Sequence, residues 1–116
     1  MSQHIDPTPK QTDIASLNAK TAYTVGNAKL EVYGGHVCVL QMNNVQIISD
    51  AVIIPQQFRP SYTIWSAVGV TDNVTITNND VTSLPRAAVE PNGSVLVQIN
   101  GSNRDANVRG QIVWVI

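Results

Sequence analysis

Trp65 is the side chain in this 116-residue sequence with the clearest capacity to meet a ligand. Through residues 62–70, strand alternation puts Tyr62, Ile64, Ser66, Val68 and Val70 on one face. Thr63, Trp65, Ala67 and Gly69 fall on the other. The first set reads as a core face, so the indole projects among small or polar neighbours. An exposed indole offers a flat surface on which the C–H face of a sugar ring stacks, while amides, carboxylates and Arg bind its hydroxyls. A ring in this position also suits a subunit interface, and a site at such an interface satisfies both readings.

Companions for Trp65 come from the polar loops. Asp72 and Asn73 follow directly in a turn. The stretch NGSNRDANVR, residues 100–109, is the most polar segment and sets Arg104 beside Asp105. It reads either as a solvated hairpin tip or as a source of hydrogen bonds for a neutral glycan or a phosphate on a glycopolymer. His36, after Gly34-Gly35, is a further candidate.

Other chemistry finds little support. His36 and Cys38 share a strand face at i,i+2, but a zinc site wants three or four ligands, and a lone Cys38 reads as a small buried apolar group. The chain has no G-x-S-x-G, no Gly-rich phosphate loop leading into a helix and no H-E-x-x-H. Folding could bring two carboxylates together for glycoside hydrolysis, yet nothing in the sequence selects a pair. The expectation is therefore a binding protein rather than an enzyme, with no metal and no cofactor.

Charge narrows the partners. Seven basic and eight acidic residues lie scattered, giving a net charge of -1, so neither nucleic acid nor an anionic membrane is an expected partner. A single cysteine excludes an intrachain disulfide framework. No apolar run approaches the roughly 20 residues of a membrane span, and MSQHIDPTPKQTD has no apolar signal core, so export by a signal of its own is not expected.

The elements that must position these residues read as β-structure. Residues 1–27 form an expected N-terminal arm, linker or short helical neck, with Thr12 or Asp13 as a helix N-cap. Residues 28–116 form the expected β-domain. AKLEVY puts Leu30 and Val32 on one face; HVCVLQM divides Val37 and Val39 from Cys38, Leu40 and Met42; SVLVQI aligns Val95, Val97 and Ile99. Asn43-Asn44 is read as a turn, NVTIT as a strand with Val74 and Ile76 inward, and Asn92-Gly93 and Asn100-Gly101 as tight turns. Seven or eight short strands between Gly, Asn and Pro turns predict an all-β, antiparallel jelly-roll-like sandwich or barrel. HVCVL and QIVWVI are apolar on both faces, so something must cover the second face: a central position in the sandwich, the N-terminal segment of the same chain, or another subunit. With charge this sparse and a chain this short, a homo-oligomer is the expectation.

A resemblance points further. The corner IIPQQFRP, with Ile54, Pro55, Phe58 and Pro60, then the strand YTIWSAVG, and later PNGSV with Gly93 and Val95, is similar to the head domains of receptor-binding proteins from tailed phages of Gram-positive bacteria. The resemblance covers residues 28–116. It implies a trimeric β-barrel at the tail tip or baseplate of the virion, contacting other virion proteins and binding a host cell-wall polysaccharide. In such heads the sugar often lies in a cleft between subunits lined by Trp, His, Arg and Asp. The chain departs from the family in having a short region before the β-domain, which leaves open an excised head or an accessory virion domain. Trp65, Asp72, Arg104, Asp105 and His36 rest on the residue chemistry above and are not carried over from the family. The rival expectation is a structural virion protein, decorating a capsid or assembling a tail, with protein contacts only.

Overall fold

The computed structural model describes residues 19–77 and 81–116; the expected helical turn near Thr12 and Asp13 lies outside them. Among the described residues the chain forms nine strands and one short 3-10 turn. The strands are β1 (Lys20–Val25), β2 (Ala28–Tyr33), β3 (Val37–Gln46), β4 (Ile64–Ala67), β5 (Gly69–Val70), β6 (Arg86–Val89), β7 (Val95–Ile99), β8 (Ser102–Asn103) and β9 (Asn107–Val115). They pair antiparallel into a larger sheet of order β1-β2-β3-β9-β5 and a smaller one of order β4-β6-β7-β8. The protein is an all-β sandwich. β1 extends the larger sheet into residues expected to belong to the arm.

Alternation decides the core. Leu30, Val32, Cys38, Leu40, Met42, Ile112 and Trp114 bury one face of the larger sheet. Ala87, Val89, Val95, Val97 and Ile99 bury the facing side of the smaller one. Full burial of each Leu, Ile or Val contributes about 1.5–3 kcal/mol relative to exposure. The outer side of β3 and β9 stays apolar and open: Val37 pairs with Val115 and Val39 with Val113, and Val37, Val113 and Val115 are exposed.

The run at residues 62–70 is divided between the two sheets. β4 pairs with β6 and β5 with β9, and the chain crosses over at Val68. Ile64, Val68 and Val70 pack against the core as their alternation predicts, but Tyr62 is 70% exposed. At the crossing, a Cβ on Gly110 would lie 3.3 Å from Val68, so the glycine lets β9 approach the corner closely.

Two local expectations change. Asn43-Asn44 does not turn the chain; it makes a bulge inside β3, with Asn44 at φ 59. NVTIT does not join a sheet. Instead the Asn100 side chain acts as its partner: Oδ1 accepts from Thr77 N at 2.9 Å, and Nδ2 donates to the Thr75 carbonyl at 2.8 Å. Asn100-Gly101 is the tight hairpin its residue types demand, with φ of 54 and 75 between the pairs Ile99–Ser102 and Gln98–Asn103.

The corner at residues 54–60 is tied on every side. Ile54 N donates to Gly93 O at 2.9 Å, and Trp114 Nε1 donates to Phe58 O at 2.7 Å. The Phe58 ring packs on the core, with the Tyr23 ring centroid 5.1 Å away. Arg59 folds back, its Nε donating to Ile54 O at 2.9 Å across Gly93.

Candidate functional site

Trp65 sits at the middle of β4, an edge strand of the smaller sheet, and is 41% exposed. Its register partner in β6 is Ala88, whose methyl leaves room beside an indole. Two residues along, Ala67 pairs with Arg86, placing Arg86 diagonal to Trp65 on the same face. The Arg86 guanidinium lies 4.1 Å from the ring centroid, within cation–π distance.

The same face continues across the sheet. Arg86 pairs with Gln98 and Gln98 with Asn103. Arg86 Nε and Nη2 both donate to Gln98 Oε1, at 3.2 and 2.8 Å. Gln98 Nε2 then donates to Asn103 Oδ1 at 2.9 Å. Trp65, Arg86, Gln98 and Asn103 thus form a ladder over all four strands, β4 to β8. Beside it, Trp65, Ala67, Val81, Leu84, Pro85 and Arg86 line an open groove of about 290 Å³. The arrangement can hold a flat ring against the part of the indole that Arg86 leaves uncovered and donate hydrogen bonds from the guanidinium.

The other four candidates do not join Trp65. Asp72 is consumed by β9: Oδ2 accepts from Asn107 N and Oδ1 from Asn107 Nδ2, each at 3.0 Å. Asp105 is likewise a clamp, accepting from Ile48 N at 3.0 Å and Ser49 Oγ at 2.6 Å. The Ser49 hydroxyl is the main reason its carboxyl is held below the usual carboxylate range. Arg104 lies beyond β8, its backbone N donating to Val97 O at 2.9 Å. His36 stands where β3 begins, with Nδ1 3.3 Å from the Ile116 carbonyl oxygen. Asp72 meets Asn107, which pairs with Gln46 at the other end of β3. At about 3.3 Å per residue, the length of β3 puts His36 and Asp72 roughly 30 Å apart.

Sequence reasoning missed Arg86, Gln98 and Asn103. The alternation of SVLVQI does point Gln98 away from the core, but no local signal says which residue stands across from it. A second polar cluster lies on the outer face of the larger sheet. Glu31, buried to 3% exposure, binds Lys20 Nζ at 2.8 Å and Tyr33 OH at 2.9 Å, and accepts from Gln41 Nε2. The Lys20 hydrogen bond, then that of Tyr33, holds the Glu31 carboxyl below its ordinary range against the opposing effect of burial. Its partners saturate it, so it braces β1 onto β2 and β3 and offers a ligand little.

No known protein family matches this chain, and no curated protein sequence matches it.

Proposed function

We propose that this domain is a non-catalytic saccharide-binding module of a phage virion, working as a homotrimer at the tail tip or baseplate to recognise a glycan on the host surface. The observation that carries the saccharide reading is the exposed Trp65 ring with Arg86 stacked on it and Gln98 and Asn103 completing a polar ladder. An indole and a row of amides and guanidinium N–H groups match the apolar and hydroxyl faces of a pyranose. The virion setting rests on the resemblance of the 53–60 corner and the strands around it to phage receptor-binding heads. Trimer formation rests on the uncovered Val37, Val113 and Val115, which a neighbouring chain would remove from water.

That same valine stripe favours the second reading, a structural virion protein whose contacts are all with other proteins. Fluorescently labelled domain, added to host bacteria, separates the two. The saccharide reading expects surface labelling that Trp65→Ala abolishes in a protein of unchanged circular dichroism. No labelling by the unmodified domain, or labelling indifferent to Trp65→Ala, overturns the Trp65 site. Light scattering tests the assembly: a stable monomer at micromolar concentration removes the trimer.

A further inference from the structure

The groove beside Trp65 has a lining of two chemical kinds, and a plain polyhydroxylated sugar would satisfy only one. The indole and the Arg86 guanidinium, 4.1 Å from its ring centroid, make up one part of the lining. Val81, Leu84, Pro85 and Ala67 supply an apolar part. Val81 is 74% exposed and Leu84 is exposed as well, so these side chains stand open to solvent at the site. Hydroxyl groups gain nothing against such a wall, because they would surrender water without a new hydrogen bond.

Arg86 supplies the polar half. A guanidinium carries five N–H donors. Gln98 Oε1 takes those of Nε and one on Nη2. Among the described residues the Nη1 group has no protein acceptor, and no acidic side chain pairs with Arg86. The donors left without a partner among the described residues border a groove whose other side chains are mostly apolar, so the complementary ligand carries a carbonyl acceptor next to a methyl on a ring that packs on indole.

The geometry points to a saccharide bearing an acetamido group as the ligand of this groove. The pyranose packs on the part of the Trp65 indole that Arg86 leaves uncovered, the acetamide oxygen accepts from Arg86, and the acetyl methyl is buried against Leu84, Val81 and Pro85. This assignment rests on the saccharide reading above and names the sugar class within it.

Two trisaccharides of identical β1,4 backbone test it: the N-acetylglucosamine trimer, and the glucose trimer, in which a hydroxyl replaces each acetamido group. Saturation-transfer difference NMR on the intact chain should give its strongest signal at the acetyl methyl. Removing the acetamido group should weaken binding roughly tenfold, the loss expected when a fitted methyl and a hydrogen bond go together. Leu84→Ser should weaken the acetylated trimer roughly fourfold, the equivalent of about one lost methyl contact, and leave the glucose trimer unchanged. Leu84 and Val81 are exposed, so Leu84→Ser and Val81→Ser both leave the fold intact, and either reports on the wall. Equal binding of the two trimers, with Leu84→Ser silent, overturns the acetamido assignment while the saccharide reading stands. Cells labelled through Trp65 although neither trimer binds likewise overturn the assignment alone. Neither binding nor Trp65-dependent labelling overturns both.

Discussion

The Arg86 guanidinium lies 4.1 Å from the Trp65 ring centroid, although the two belong to different strands and are far apart in the sequence. The contact exists because β4 pairs with β6 in a register that sets Ala67 opposite Arg86, one diagonal step from the indole. Gln98 then fixes the guanidinium from the far side with two hydrogen bonds to its Oε1. The stacking cation is therefore held in place before any ligand arrives.

Arg86→Ala should lower stability by about 1 kcal/mol, the scale of a partly exposed cation–π contact, and should weaken saccharide binding. Arg86→Lys should restore little, since a lysine lacks the planar fork that meets Gln98 and the ring together. Urea unfolding and glycan titration of both variants check this. A lysine variant that binds like the parent would show that charge alone matters.

Asp72→Ala should destabilise the fold without touching binding. Its carboxylate satisfies both the backbone N and the side-chain amide of Asn107, so its loss should cost about 1–3 kcal/mol. Thermal melts and cell labelling measure the two effects separately. A variant that melts normally but no longer labels cells would return Asp72 to the binding site.

Glu31 gives the protein an acid-sensitive brace. Its folded pKa lies below the ordinary 4.5, chiefly through the Lys20 hydrogen bond. A depressed carboxylate stabilises the fold above the unfolded value and loses that contribution as pH falls through the folded one. Asp105, depressed by Ser49, adds to the same window below 3.8. Chemical denaturation between pH 6 and pH 3, conditions set by the ordinary carboxylate range of about 4, should show stability falling with acid. Glu31→Gln should flatten that fall. An unchanged slope in the variant would mean the brace does not differ between folded and unfolded chains.

Gly93→Ala should be among the most damaging small substitutions. Gly93 has φ 89, and an added Cβ would meet Arg59 Nε and come within 2.7 Å of the Ile54 carbonyl oxygen. Backbone strain alone costs about 1–2 kcal/mol there, and displacing Arg59 from Ile54 adds to it. Trp114→Phe, which orphans the partly buried Phe58 carbonyl, should cost about 1 kcal/mol by the same unfolding assay. Little change in either variant would show the corner to be looser than its hydrogen bonds suggest.

Local sequence alone decides which residues face the core. Leu30, Leu40, Val97 and Ile112 alternate with neighbours that are polar or less buried, and side chains on a strand change sides at every residue whatever the strand pairs with. It also decides the Asn100-Gly101 hairpin, because few residue pairs accept two positive φ angles in succession. Strand register is set elsewhere. Asn43-Asn44 tolerates the left-handed region in a turn and in a bulge alike, and pairing with β9 selects the bulge. Asp72 and Asp105 look available in the sequence because nothing local announces an acceptor that Asn107, Ile48 and Ser49 will use. Trp65 is legible as a projecting ring, since that needs only the period of its own strand. Its companions Arg86, Gln98 and Asn103 are not, because side-chain period is a property of one strand and a site on a sheet is a property of several held in register.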